Sequence, residues 1–223
     1  MTIPISFIDL APEGLTQGLH IELEAGMTAL FTTSGEHEVR LLSRIFTGEQ
    51  LLEQGGVRFD GVPLPEFSRN QLHQLRRSAG VVSANGGLIS NLKLWENITL
   101  PLLFHGGSVP ENSRALIHTY LEQFGLGNNL WTLPGHLNQF ERKAVGFIRA
   151  AVTKPRFMLY AGCFDNLPSR EKILLLEHAL KLHAETPGMI SLFITSGTTS
   201  LEQLEPDLHC NLRHHPAIIT RNR

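Results

Sequence analysis

The stretch MTALFTTSGEHEVRLLSRIF, Met27 to Phe46, decides the fold. Met27 to Phe31 is a short apolar run and Thr32 to Gly35 is turn-like. Val39, Leu41, Leu42, Ile45 and Phe46 then recur at helical spacing. The reading is strand, loop, helix, and the same alternation extends along the chain. Gly56 to Asp60 reads as a strand closed by a turn at Asp60-Gly61, Ser68 to Arg77 as a polar helix, and Gly80 to Ser83 as a buried strand. Leu92 to Phe104 has helical periodicity that Pro101 is expected to interrupt, and Arg114 to Phe124 is an amphipathic helix ended by Gly125. Gln139 to Val152 and Leu174 to Leu182 read as helices, and Phe157 to Tyr160 and Met189 to Thr195 as continuous apolar strands. Strands alternating with helices predict an α/β chain with a mainly parallel sheet covered on both faces. The central helices form a lobe over about residues 85–152 of a single domain spanning 1–223. The tail after Pro216 is expected to be loose.

Bulk properties narrow the function. The chain has 223 residues and a formal net charge of -2, too weak a field to hold a nucleic acid by itself. Met1 to Leu10 lacks a basic stretch followed by an apolar run, and no apolar stretch approaches a spanning length. The only cysteines, Cys163 and Cys210, are far apart in sequence, which suggests neither a disulfide framework nor a zinc site. These features predict a cytoplasmic protein. His214-His215 and the other histidines show no ligand spacing and are expected at the surface.

Particular runs say more than the order of elements. Asn85 to Pro101, with its small-Gly-small-Leu start and its Leu92, Trp95, Glu96, Asn97, Ile98 pattern, resembles the segment after the glutamine loop of ABC transporter ATP-binding subunits. It is especially similar to the Mla/Mce-type lipid transporters. Leu133 to Ser169 can be laid without gaps on the signature helix and Walker B strand of that family, through Leu137, Arg142, Lys143, Val145, Arg149, Ala150, Pro155, Leu159, Tyr160 and Leu167. Gly55 to Gly61 and Leu75-Arg76-Arg77 extend the match over most of the chain. The resemblance implies a P-loop NTPase-like ABC ATPase fold with a helical subdomain and a small N-terminal antiparallel β part.

The positions that carry chemistry in that family have changed. A phosphate loop needs glycines for backbone approach, a lysine for the β and γ charges and a hydroxyl for Mg²⁺. In the family's register Ser34 and Gly35 remain, while Thr32 and His37 stand for glycines, Glu38 for the lysine and Val39 for the hydroxyl. A unit attraction at about 4 Å and an effective dielectric of about 20 is worth roughly 4 kcal/mol, and a carboxylate reverses its sign. The Walker B aspartate and the following glutamate correspond to Ala161 and Gly162, the glutamine-loop residue to Ala84, and the switch histidine to Ser196. The adenine-stacking aromatic has no equivalent in Ala11 to Gly14. The signature loop, which in the family completes the partner subunit's ATP site, reads Leu137-Asn138-Gln139-Phe140-Glu141. Glu36, His37 and Glu38 read as a solvated first helical turn rather than a metal cluster.

The resemblance therefore implies a pseudo-ATPase: a non-hydrolysing scaffold or regulator of a membrane transport complex with a lipid cargo, peripheral on the inner face of the membrane, with ATP and Mg²⁺ not expected. Its implied partners are an integral membrane permease subunit and a second ATPase-type subunit, itself or another. Leu88, Ile89, Leu92 and Trp95 are the expected docking residues, since the family's groove beside this helix receives the permease's coupling helix. Two rival expectations stand beside it. One is a divergent ATPase using Asp165, Ser34 and Lys143; the other is a cytosolic binding protein that reuses the fold.

Overall fold

The computed structural model describes residues 5–8, 21–52, 56–106, 108–197, 201, 204–213 and 218–222. The Ala11 to Gly14 and His214-His215 segments lie outside them. Strands β1 (Ile5–Ile8), β2 (Ile21–Leu23), β4 (Gly56–Phe59) and β5 (Val62–Pro63) form a small antiparallel sheet in the order β2-β1-β4-β5. Asp60 at φ 52° and Gly61 at φ 76° make the two-residue turn that pairs Phe59 with Val62, because two consecutive positive φ values match the twist of a tight hairpin.

The main sheet comprises β3 (Thr28–Thr32), β6 (Ala79–Ser83), β7 (Phe157–Ala161), β8 (Ile190–Thr195), β9 (Leu208–Asn211) and β10 (Ile218–Arg221), in the order β10-β9-β3-β8-β7-β6. Its pairs are parallel except β9 with β10. Helices α1 (Glu36–Phe46), α2 (Arg69–Ser78), α3 (Leu94–Gly106), α4 (Glu111–Gln123), α5 (Gln139–Ala151) and α6 (Ser169–Glu185) connect and cover it. Every residue of β3, β7 and β8 is buried, as strands covered on both faces require. Period-2 alternation sorts them: Phe157, Leu159 and Ala161 join one core with Leu42, Ile45 and Phe46 of α1, while Met158 and Tyr160 join the other with α3 to α6. Burying each of those α1 side chains contributes about 2 kcal/mol. Among the described residues no helix is long and apolar enough to cross a membrane.

Three expectations are corrected. Pro101 lies inside α3 rather than interrupting it. Its missing N–H costs about 3 kcal/mol in a helix interior, and α3 offsets this by burying Leu94 and Ile98 completely. The tail after Pro216 is not loose: β10 pairs with β9 from Ile218 opposite Asn211 to Arg221 opposite Leu208. Strand β6 is half-buried, with Gly80 and Val82 inward, because it is the last strand of the sheet.

Candidate functional site

The carboxyl ends of β3, β7 and β8 lie side by side, with Thr32 opposite Thr195 and Ala161 opposite Ile194. Open α/β sheets bind ligands at this edge. After β3 the chain turns at Thr33, whose N–H donates to the Thr195 carbonyl at 2.9 Å, and enters α1 after Gly35. The Ser34 N–H donates to Glu38 Oε2 at 2.7 Å. His37 is exposed, and Glu36 makes a surface pair with Arg40 at 3.7 Å.

A cleft of about 380 Å³ brings together Val39 of α1, Ala84 after β6, Gln139 of α5, and Ala161 and Gly162 at the end of β7. A Cβ built on Gly162 would stand 3.3 Å from Val39 Cγ1 and 3.4 Å from the Ala84 Cβ. Gly162 has φ 66°, a left-handed conformation that glycine adopts without steric cost. Among the described residues no group of three or more His, Cys, Asp or Glu side chains is placed to hold a metal.

Asp165, four residues beyond β7, also lines the cleft. One of its carboxylate oxygens accepts from the Thr195 hydroxyl, and the other accepts from the Ser196 N–H and hydroxyl, both at 3.0 Å. Lys143 of α5, fully buried, donates its ammonium to the Asp165 main-chain carbonyl at 2.6 Å. Burial lowers the pKa of this lysine, opposed by the neighbouring Cys163 and Asp165. Cys163 is itself fully buried, which pushes its thiol far above the usual range, so it is no nucleophile. Arg213, after β9, was invisible as a site residue in the sequence. Its Nε donates to the Thr33 carbonyl at 2.9 Å, and its Nη2 donates to the carbonyls of Ser196, at 3.0 Å, and Gly197.

The signature-position run sits at the start of α5. The Glu141 N–H donates to Asn138 Oδ1 at 2.9 Å, and the Asn138 N–H donates to Glu141 Oε2 at 2.8 Å, a capping box that consumes donors at the helix N-terminus. Phe140 faces inward onto Phe124, with ring centroids 6.0 Å apart, and Leu137 is buried. Gln139 reaches the cleft; Ser196 meets it only through Asp165.

The expected docking residues lie on the loop before α3 and on its first turn. Asn97, fully buried, holds that loop: its Oδ1 accepts from the Ile89 N–H at 2.8 Å, and its Nδ2 donates to the carbonyls of Ile89 and Leu92 at 3.1 and 2.9 Å. Ile89 is left exposed, whereas Leu88 and Trp95 pack partly into the core and Leu92 is half-buried. Lys93 stands 5.3 Å above the exposed Trp131 ring beside them.

No family model matches the chain. It is 30% identical over 162 residues to the cell division ATP-binding protein FtsE of Haemophilus influenzae, covering 70% of this chain and 73% of that one. It is 29% identical over 203 residues to the lipoprotein-releasing system ATP-binding protein LolD of Pseudomonas fluorescens, covering 90% and 88%. The intermembrane phospholipid transport system ATP-binding protein MlaF of Haemophilus influenzae matches at 26% over 144 residues, covering 64% and 54%. Against longer relatives the chain spans less: 44% of the probable ribonucleotide transport ATP-binding protein mkl of Mycobacterium leprae. Among solved structures, a dimeric ATP-binding cassette in a post-hydrolysis state with ADP and Pi superposes with a TM-score of 0.79 at 19% identity, over 98% of this chain and 99% of that one. The cbiO1 protein of Clostridium perfringens superposes with 0.75 at 16% identity, over 94% and 84%. The structural likenesses show the fold, and the shared sequence shows the lineage: the chain belongs to the family of ABC transporter ATP-binding subunits.

Proposed function

We propose that this subunit is catalytically degenerate, a non-hydrolysing scaffold or regulator of a membrane transport complex. The observation that carries this reading is the lining of the cleft, where Val39, Ala84, Ala161 and Gly162 bring no side-chain oxygen or nitrogen. Mg²⁺ is held by oxygen ligands at about 2.0–2.1 Å, and aliphatic side chains and a glycine supply none. The residues present therefore do not fit a Mg-nucleotide, and no hydrolytic step is derived through one. The occupied Ser34 N–H supports the same conclusion, because Glu38 places negative charge where the phosphates would arrive. The substitute carboxylate, Asp165, has both oxygens engaged by Thr195 and Ser196, which disfavours a divergent ATPase built on it. The capping box at the start of α5 extends the argument to a partner's site, since it commits the Asn138 and Glu141 N–H groups within the chain.

On this reading residues 1–223 form one domain with a helical lobe at about 85–152, cytoplasmic and peripheral on the inner face of the membrane. It docks on a permease subunit through the face carrying Leu88, Ile89, Leu92 and Trp95, and pairs with a second ATPase-type subunit. The likeness to a phospholipid-transport and a lipoprotein-releasing protein favours a lipid cargo. Isothermal titration of the purified protein with Mg-ATP is expected to give no binding heat at micromolar concentrations. A saturable micromolar isotherm overturns the proposal.

A further inference from the structure

We infer that Asp165 and Arg213 form a clamp that holds the phosphate-loop and switch-position segments in one arrangement without a nucleotide. The two segments reach the same sheet edge from β3 and β8, and both end in main-chain groups that need partners. Arg213 supplies the partners for carbonyls on both sides at once, Thr33 on one and Ser196 and Gly197 on the other. A guanidinium suits this task because its donors are fixed in a planar fork and its charge does not titrate away. The Arg213 N–H is itself bonded to Asn211 Oδ1 at 3.1 Å, which orients the residue at the end of β9.

Asp165 grips the opposite side of the same segment. It accepts from the side chains of Thr195 and Ser196 and from the Ser196 N–H, so Ser196 is held by a carboxylate at its N–H and a guanidinium at its C=O. The Thr195 hydroxyl also accepts from the Gly197 N–H at 3.1 Å. The chain of bonds continues into the helical lobe through Lys143 and the Asp165 carbonyl. At its other end it reaches α1, through Thr33 and then the Glu38 carboxylate on Ser34. Charge-assisted bonds are roughly twice as strong as neutral ones, and several of these lie at least partly out of water. The clamp stands on this geometry alone and does not require the degenerate-subunit reading.

Amide hydrogen exchange on the full chain tests it, with Asp165→Asn and Asp165→Ala, and with Arg213→Lys and Arg213→Gln, the milder member of each pair guarding against loss of fold. In the unaltered protein without nucleotide, the amides of Thr33, Ser196 and Gly197 should exchange slowly. Each substitution should speed exchange about tenfold or more in both segments, so that Asp165→Asn loosens Thr33, which Asp165 does not touch. Acceleration confined to the segment next to the altered residue overturns the clamp. So does an unaltered protein that exchanges rapidly at these amides until Mg-ATP is added. Nucleotide binding to a protein already protected leaves the clamp standing and overturns only the proposed function.

Discussion

Gly146 of α5 lies against Gly86, backbone to backbone: a Cβ built on Gly146 would stand 2.4 Å from the Gly86 carbonyl oxygen. The reverse addition is worse, because a Cβ on Gly86 would stand 2.1 Å from the Arg142 carbonyl oxygen and Gly86 has φ 75°. The two glycines let the loop after β6 rest directly on α5, where Arg149 then donates to the Gly86 and Gly87 carbonyls at 3.1 and 2.7 Å. Neither clashing atom can swing aside as a side chain would. Gly146→Ala is therefore expected to cost about 1–3 kcal/mol and Gly86→Ala more, read as a fall in thermal midpoint. Gly135→Ala, whose Cβ would meet open space, is the control and should leave the midpoint unchanged.

On the proposed function, a lysine placed at position 38 should not confer nucleotide binding. Glu38→Lys removes the carboxylate from the Ser34 N–H, but Val39, Ala84, Ala161 and Gly162 still offer no ligand to Mg²⁺. Titration with a fluorescent nucleotide is expected to stay flat for this variant. The substitution also removes an acid from the first turn of α1, costing about 0.3–1 kcal/mol of stability.

Tyr160 is fully buried, stacked on Phe193 with centroids 4.6 Å apart, and its hydroxyl has no hydrogen-bond partner among the described residues. Burial, the largest effect, raises the pKa of the phenol well above its ordinary value, so the group stays neutral. Deleting an unsatisfied hydroxyl removes a desolvation cost of about 1–3 kcal/mol at the expense of a small void. Tyr160→Phe should be neutral or stabilising in chemical denaturation. A loss above about 1 kcal/mol would mean that the hydroxyl has a partner after all.

His209 reports on acidity. Burial, with Arg213 beside it, lowers its pKa in the fold below the ordinary 6.5, so the unfolded chain binds the proton more readily. Its contribution is fully present above about pH 6.5 and is lost as pH falls through that value toward the folded pKa. Denaturation midpoints of the parent chain are expected to decline over this window more steeply than those of His209→Gln.

Much of this was legible in the sequence, and the misses have common causes. The runs around Phe31, Leu159 and Leu192 announce buried strands because both faces need apolar residues. Strands β9 and β10 carry no such signal: Leu208 and Cys210 face inward between polar neighbours, and every residue of β10 is exposed. The residue types from Thr32 to Val39, on which the proposed function rests, are read directly from the sequence. Where those side chains turn instead was not readable. The Glu38 carboxylate on Ser34 depends on where a flexible side chain turns, and Arg213 reaches Thr33 across 180 positions of chain.

Strand β10 has one more consequence. Among the described residues it is the end strand of the main sheet, with Ile218 and Ile219 53% and 40% exposed and no strand paired to its outer side. Such a rim is a template on which another extended chain can add, and apolar side chains make the addition adhesive. Its shortness, four residues with Arg221 as the last, opposes that growth, because a template this brief and this charged gives a stray strand little to hold. Any lengthening of that rim with apolar residues would exchange a soluble border for a sticky one.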